Sequence, residues 1–235
     1  MVDTGFFRVS SGITGFDQLV NGGLVSNTVS ALYGSPGAGK SIFALSFLRA
    51  GLQANEKVFY ISLEQDINAI LREADSLGFT EFRQNVNTNF VFVRMTGHDF
   101  KEFLLVELPK ILENRMSKHS RIVVDPLTPL FWEVHDIAMQ RNLLSNAFDM
   151  LRSFGTSIVT VEKYGNLNVL DLSEELAIPL YLSDCVILLT MIFNQNFYQK
   201  AISILKFRYS SHSSGLHPFD IEQGGIKIFQ DQPVF

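Results

Sequence analysis

An uninterrupted run of eight residues matches the pattern G-x-x-x-x-G-K-[ST], in which glycines precede a lysine and a hydroxyl residue. The run comprises Gly34, Ser35, Pro36, Gly37, Ala38, Gly39, Lys40 and Ser41. The backbone N–H groups of such a turn converge on an anion, helped by the positive end of the helix that follows. Lys40 supplies a charge for the β- and γ-phosphates of a nucleotide, and the Ser41 hydroxyl is placed to bind Mg²⁺. The run therefore predicts a site for ATP and magnesium.

Three acidic residues, Glu64, Asp125 and Glu162, each follow an apolar run that predicts a buried strand. Ligands of parallel sheets bind at the carboxyl ends of the strands. We interpret Asp125 as a ligand of Mg²⁺, directly or through water, and Glu64 as a general base for the attacking water. Glu162 is a candidate to sense the γ-phosphate or to contact that water. The alternatives are structural: Asp125 and Glu64 as helix-capping residues, and Glu162 without a functional role.

Strand and helix patterns alternate around these residues. Strands are predicted over Val29–Tyr33, Lys57–Leu63, Asn89–Arg94, Arg121–Asp125 and Ser157–Val161, and helices over Ile42–Ala50, from Asp66 to Gly78, over His98–Lys118 with a kink or break at Pro109, and over Asp136–Arg152. A loop is predicted from the fifth strand to about Pro179, followed by partly antiparallel strands over Val186–Phe193, Ala201–Arg208 and His217–Phe229. The alternation predicts an α/β fold with a mainly parallel central sheet flanked by helices.

The composition narrows the class of protein. The chain has 235 residues, a formal net charge of −5 and a single cysteine, Cys185, so an intrachain disulfide is impossible. No linker, signal peptide or bilayer-spanning stretch is evident, which leads us to expect one domain over residues 1–235, a cytoplasmic location and no membrane insertion. The histidines show no ligand spacing and no nucleophile has a paired base, so we expect neither a further metal nor acyl transfer.

The chain resembles the RecA superfamily, and within it the KaiC-like group of single-domain ATPases. The resemblance rests on the motif above and on further segments along nearly the whole chain, namely Ser11–Leu24, Tyr60–Glu64, Val123–Asp125, Leu182–Leu188, Leu205–Arg208 with His212, and Phe219–Ile226. It implies that Lys40 and Ser41 bind ATP and Mg²⁺, that Asp125 is the Walker B aspartate and that Glu64 is the catalytic glutamate.

The same resemblance implies a role for the basic pair Lys206 and Arg208, which would reach the γ-phosphate on a neighbouring subunit. The two residues alternate along a predicted strand and so share one face, while Leu205 and Phe207 supply the opposite, apolar face. The alternative is a solvated strand edge. Contacts of this kind are head-to-tail, and the resemblance favours a hexameric ring.

Two positions depart from the family pattern. Gln65 stands where the family usually has a second acid, and Pro126 stands where it usually has a serine after the aspartate. A glutamine carries no charge, and a proline offers neither a hydroxyl nor an N–H. These departures lead us to expect slow hydrolysis and keep open a nucleotide-binding interaction protein that does not hydrolyse ATP.

A third hypothesis is a recombinase paralogue that binds DNA through the loops after the fourth and fifth predicted strands. The loops Pro126–Asp136 and Gly165–Pro179 contain no lysine or arginine and several acids, which disfavours phosphate binding. Phe131 and Trp132 could stack on bases, but exposed aromatic residues without nearby cations more often meet protein. We therefore rank an ATP-dependent switch with slow turnover first, acting through its own oligomer and a protein partner.

Overall fold

A nine-stranded sheet lies at the centre of the molecule in the computed structural model, which describes residues 7–95, 100–116, 119–163, 174–194 and 197–230. The strands are β1 (Arg8–Val9), β2 (Leu24–Val25), β3 (Val29–Gly34), β4 (Val58–Ser62), β5 (Phe90–Arg94), β6 (Ser120–Asp125), β7 (Gly155–Glu162), β8 (Cys185–Asn194), β9 (Phe197–Phe207), β10 (Leu216–Glu222) and β11 (Gly225–Ile228). β1 and β2 form a separate antiparallel pair.

The order of strands in the large sheet is β11-β10-β9-β8-β3-β7-β6-β4-β5. The strands from β8 to β5 are mutually parallel, and β9, β10 and β11 add to the β8 side as antiparallel neighbours. The predicted fold class, an α/β core with antiparallel strands towards the carboxyl end of the chain, is confirmed.

Helices cover both faces of this sheet. They are α1 (Phe16–Leu19), α2 (Lys40–Gln53), α3 (Ile67–Ser76), α4 (Glu81–Asn85), α5 (Phe100–Glu102), α6 (Leu108–Arg115), α7 (Pro129–Glu133), α8 (Ile137–Phe154) and α9 (Glu174–Leu182). Phe43 of α2 and Ile70 of α3 belong to the core on one face, and Leu108 of α6 and Leu144 of α8 to the core on the other. Because both faces are covered, all six residues of β3 are buried, which explains why its sequence is mostly apolar and does not alternate between apolar and polar residues. Among the described helices, none combines the length and apolar character needed to cross a bilayer.

Several boundaries have local causes that the sequence displays. The Asp66 side chain accepts a hydrogen bond from the backbone N–H of Ala69 at 2.9 Å and so caps the start of α3. Gly78, with φ of +77°, follows the end of that helix. Before β2, the short helix α1 packs against α2 through Phe16 and Phe43, whose ring centroids are 5.1 Å apart. Short-range hydrogen bonding and glycine conformation decide these positions.

The predicted loop up to Pro179 is wrong in its described part, because α9 occupies 174–182 with Pro179 inside it. An internal proline costs a helix roughly 3 kcal/mol. Here Ile178 is buried, and neighbouring leucines of α9 pack on the same core. Tertiary burial therefore outweighs the local preference. The remainder of this predicted loop, and both ends of the helix predicted over His98–Lys118, lie outside the described residues.

Three further stretches differ from the predictions. The strand predicted over His217–Phe229 is a hairpin of β10 and β11, which turns at Gly224 and Gly225 with φ of +101° and +105°. The helices α4 and α7 were not predicted, because five residues are too few to display a helical period.

Before Pro109 the chain makes a π-helical turn over Phe103–Glu107, which is the irregularity that the proline predicts.

Candidate functional site

The strand order β3-β7-β6-β4 places four carboxyl ends side by side at one edge of the sheet. β3 leads into the glycine-rich turn, β7 ends at Glu162, β6 ends at Asp125, and Glu64 follows β4 after one intervening residue. Because these strands are parallel, their ends face the same ligand-binding crevice. The structure therefore brings together the three acids and the turn, which are far apart in the sequence.

The glycine-rich turn ends at the first residue of α2. Gly37 and Gly39 have φ of +78° and +102°, in the left-handed region that favours glycine. A Cβ at Gly39 would lie 3.1 Å from Cδ1 of Ile221, so space as well as conformation favours glycine there. Gly39 is the N-cap residue of α2, and its carbonyl accepts from the N–H of Phe43 at 2.9 Å. The free N–H groups of the first helical turn thus point towards the crevice.

Lys40 is almost fully buried at the base of this turn, with 7% of its surface exposed. Its ammonium donates to the carbonyl oxygens of Gly34 and Ser35 at 3.0 and 3.2 Å, and its Nζ lies 3.7 Å from Oε1 of Glu162. Burial lowers the pKa of Lys40, and the negative charge of Glu162, followed by those of Asp125 and Glu64, opposes that shift. The Lys40 ammonium is therefore surrounded by acidic side chains.

Asp125 is buried at the end of β6, and both of its carboxylate oxygens accept hydrogen bonds. Tyr60 donates to Oδ2 and Thr160 donates to Oδ1. Burial raises the pKa of Tyr60 well above its usual value, and the charge of Asp125 adds to the effect, so the phenol stays a donor. The N-cap alternative for Asp125 is wrong, because the next helix, α7, has Thr128 at that position.

Glu64 lines the same crevice as Lys40 and Asp125. Burial raises the pKa of Glu64, with further contributions from the charges of Glu162 and Asp125, and Lys40 opposes the shift. The alternative in which Glu64 caps a helix is wrong, because Asp66 performs that role for α3. The carboxylate of Glu64 is thus available to the crevice.

The crevice is a cavity of about 300 Å³. Its lining includes Pro36, Gly37, Gly39, Lys40, Ser41, Ile42, Glu64, Gln65, Glu73, Asp125, Pro126, Glu162, Lys200 and Ile221. Sequence reasoning missed Glu73 on α3 and Lys200 on β9. Glu73 precedes the buried Ala74 and lies at the flank of the apolar face of α3, which was a usable signal. No local sequence signal pointed to Lys200, because its place in the cavity depends on how β9 pairs with β8.

Lys206 and Arg208 lie at the opposite edge of the sheet from the glycine-rich turn. Lys206 pairs with Val186 at the start of β8. Arg208, directly after β9, places its Nη1 atom 3.5 Å from Oδ1 of Asp184. The N–H of Asp184 in turn donates to the carbonyl of Val29, the first residue of β3. A strand of six residues spans roughly 17 Å at about 3.3 Å per residue, so the basic pair does not reach the phosphate loop of its own chain.

The predicted apolar face opposite this pair is partly wrong. Phe207 is buried, with 7% of its surface exposed, but Leu205 is 40% exposed. A register shift in the β8–β9 pairing between Val186 and Ile187 leaves Leu205 as an extra residue, which interrupts the alternation of side chains. Of the two aromatic residues considered for base stacking, Phe131 is buried and only Trp132 is exposed. Phe131 is therefore not accessible for stacking on bases.

The donor set of the crevice fits Mg²⁺ and a nucleotide. Magnesium prefers oxygen ligands, and the lining offers the Ser41 hydroxyl and the carboxylates of Asp125, Glu64 and Glu73. Asp125 accepts one hydrogen bond at each oxygen, and a carboxylate has about four lone-pair sites, so it retains the capacity to bind a cation or its water. In the described part of the chain no cluster of three or more His, Cys, Asp or Glu side chains could hold a metal alone.

Several known proteins are similar to this chain. The circadian clock proteins KaiC2 and KaiC3 of Synechocystis are 28% and 29% identical over 231 and 237 residues. These matches cover 94% and 95% of this chain but 40% and 46% of the relatives, so the chain spans less than half the length of those two proteins. The UPF0273 protein PF1931 of Pyrococcus furiosus is 27% identical over 241 residues, covering 96% of this chain and 95% of that protein.

A solved structure shares the fold as well. The KaiC-like protein PH0186 of Pyrococcus horikoshii superposes with a TM-score of 0.78 at 25% identity, over 95% of this chain and 99% of its own. The family model for the KaiC ATPase matches residues 9–233. That match takes in the glycine-rich turn, the three strand-end acids and the basic pair, and it leaves out only a few terminal residues. The protein therefore belongs to the KaiC family of ATPases.

Proposed function

We propose that residues 1–235 act as one domain that binds Mg·ATP and hydrolyses it slowly, as a molecular switch. The observation that carries the proposal is the convergence of Lys40, Glu64 and Asp125 on one cavity, at the ends of adjacent parallel strands. Membership of the KaiC ATPase family implies nucleotide use. The magnesium requirement and the low rate are parts of the proposal.

The residues proposed to carry the chemistry each have a role that follows from their position in the cavity. The N–H groups at the start of α2 and the Lys40 ammonium hold the phosphates. Ser41 and Asp125 hold magnesium, which when bound neutralises charge on the phosphate oxygens. Glu64 orients a water towards the γ-phosphorus and accepts a proton from that water. Gln65, which lines the cavity beside Glu64, cannot add a second negative charge, and this is why we propose slow turnover.

We further propose that ATP promotes a head-to-tail homo-oligomer, most simply a hexameric ring. Lys206 and Arg208 lie at the sheet edge opposite the phosphate loop, so they can serve a γ-phosphate only in a neighbouring copy. A head-to-tail contact closes into a ring or continues as a filament. If ATP bridges two copies, its binding strengthens assembly and assembly strengthens its binding by the same factor.

The switch would act through other proteins in the cytoplasm. Trp132, 62% exposed on α7, offers the kind of aromatic surface that protein partners bind. The single cysteine, Cys185, is buried and free, as is common in reducing compartments. The candidate loop after β6 contains no lysine or arginine, so a DNA-binding recombinase paralogue ranks last.

Calorimetry and steady-state kinetics test the nucleotide proposal. We expect Mg·ATP to bind the wild-type chain, and Glu64→Gln to retain that affinity while kcat falls by about 100- to 10,000-fold, the usual contribution of a general base. Absence of ATP binding by the wild type would refute the site. Binding without any hydrolysis by the wild type would favour the second candidate, a nucleotide-binding interaction protein, for which Gln65 is the specific observation.

Sedimentation tests the assembly proposal. The mass of the wild type is measured with and without a non-hydrolysable ATP analogue, beside Lys206→Ala/Arg208→Ala. We expect the wild type to form a larger species when the analogue is present. The double variant should remain at a lower mass than the wild type under the same condition. A monomer under all conditions, with an unchanged ATPase rate in the double variant, would remove the role in the neighbouring site.

A further inference from the structure

Two buried hydroxyl groups hold the carboxylate of Asp125 from opposite sides. Tyr60 comes from β4 and Thr160 from β7, the two strands that flank β6 in the sheet. The Tyr60 hydroxyl donates to Oδ2 and the Thr160 hydroxyl donates to Oδ1. Tyr60 and Thr160 are fully buried, and Asp125 is 7% exposed. Each carboxylate oxygen thus has one fixed donor that solvent cannot replace.

The Tyr60 hydroxyl is fixed by the packing of its ring. The ring stacks on Phe92 of β5, with centroids 6.1 Å apart and an interplanar angle of 27°. It belongs to the core between the sheet and α2 and α3. The packed ring therefore fixes where the phenol hydroxyl lies relative to the carboxylate at the end of β6.

We propose that Tyr60 is a positioning residue for the metal site, which holds the Asp125 carboxylate in the orientation that Mg²⁺ requires. This inference rests on the proposed Mg·ATP site. A carboxylate with about four lone-pair sites keeps two after accepting these bonds, and the bonds decide where the remaining two point. Partners that orient a metal ligand in this way contribute to metal affinity without touching the ion.

The test variant is Tyr60→Phe, which keeps the ring and its stacking on Phe92 and removes only the hydroxyl. Calorimetry measures the affinity for a non-hydrolysable ATP analogue at increasing Mg²⁺ concentrations. The half-point is the Mg²⁺ concentration at which the gain in affinity reaches half of its maximum. We expect that concentration to rise about tenfold, the lower end of what loss of such a partner costs. Affinity for the analogue in excess EDTA should stay within about twofold, because the turn and Lys40 are untouched. Thr160→Val, which removes the other donor and keeps a β-branched side chain, should act in the same direction.

A matched control exists in another strand of the same sheet. Tyr33 of β3 is also buried, at 2% exposure, and its hydroxyl donates to the carbonyl of Leu176 at 2.7 Å on the other face of the sheet. Tyr33→Phe makes the same chemical change and removes one buried hydrogen bond, but it does not touch Asp125. It should change thermal stability about as much as Tyr60→Phe and leave the Mg²⁺ dependence unchanged.

The outcomes separate the inference from the proposed function. If the wild type does not bind the analogue, the proposed site fails. If the wild type binds with a clear Mg²⁺ dependence and Tyr60→Phe shows the same or a lower half-point, the positioning role is wrong and the site stands. An equal rise in Tyr33→Phe would also overturn the inference, because general loosening of the sheet would then explain the effect. A rise confined to Tyr60→Phe and Thr160→Val supports it.

Discussion

Lys206→Ala should destabilise the isolated chain, whatever the residue does for a neighbour. Its ammonium donates to three backbone carbonyl oxygens, those of Leu180 (3.0 Å), Tyr181 (3.1 Å) and Ser183 (2.6 Å). These carbonyls lie at and just beyond the end of α9, where a helix has no internal donors left. Lys206 is therefore a cap of that helix, and its positive charge also interacts favourably with the negative end of the helix dipole.

The size of the effect follows from these contacts. A hydrogen bond from a charged donor contributes about 1.5–3 kcal/mol, and a cation at a helix end up to about 1 kcal/mol. The three bonds share one ammonium, burial and the nearby Arg208 lower the pKa of Lys206, and Tyr181 is exposed, so water replaces part of the loss. We expect a net loss of roughly 2 kcal/mol in the free energy of unfolding, a conservative value within these ranges. For a chain of this size it corresponds to a fall in Tm of about 4–8 °C.

Urea unfolding followed by circular dichroism, without nucleotide and at low protein concentration, measures this loss. Lys57→Ala is the control, because its exposed ammonium donates to a single carbonyl, that of Thr88 at 3.0 Å, and should cost less than about 0.5 kcal/mol. If Lys206→Ala unfolds at the wild-type midpoint with an unchanged m value, the capping role is refuted. If it is destabilised, the ATPase of the Lys206/Arg208 double variant must be assayed well below its own Tm.

Three further predictions concern the cavity and its surroundings. Burial and neighbouring carboxylates raise the pKa of Glu64, and a general base acts only when it is ionised. On acidification, kcat/KM should therefore begin to fall at a pH above 4.5, the pKa of an ordinary glutamate. A fall that occurs only at or below pH 4.5 would contradict the assignment of Glu64 as the base. Lys40→Ala should weaken ATP binding about tenfold or more in calorimetry, since charged hydrogen bonds to phosphate contribute about 1.5–3 kcal/mol; equal affinity would contradict its role. Single-stranded DNA should bind no more tightly than a Kd of about 1 μM at physiological salt, and tight ATP-stimulated binding in a mobility-shift assay would reverse the ranking of functions.

The sequence by itself determined the features that depend on neighbouring residues. The turn at Gly34–Ser41 and its flanking strand and helix follow from glycine conformation and short-range patterning. The cap at Asp66 follows from a contact three residues away. The acids Asp125 and Glu162 could be assigned to strand ends because apolar runs stop there. The family resemblance rested on the same local motifs, and the match over residues 9–233 confirms it.

Only the tertiary structure decided which of these local features meet. The strand order β3-β7-β6-β4 differs from the chain order, and it alone makes the acids neighbours and lets Tyr60 and Thr160 reach Asp125. The β8–β9 pairing and its bulge place Lys200 in the cavity and send Lys206 to the opposite edge. These outcomes depend on hydrogen bonds and packing between residues tens to over a hundred positions apart. The native set of contacts is selected against all alternative pairings of the chain, so a local pattern does not by itself specify which of these contacts form.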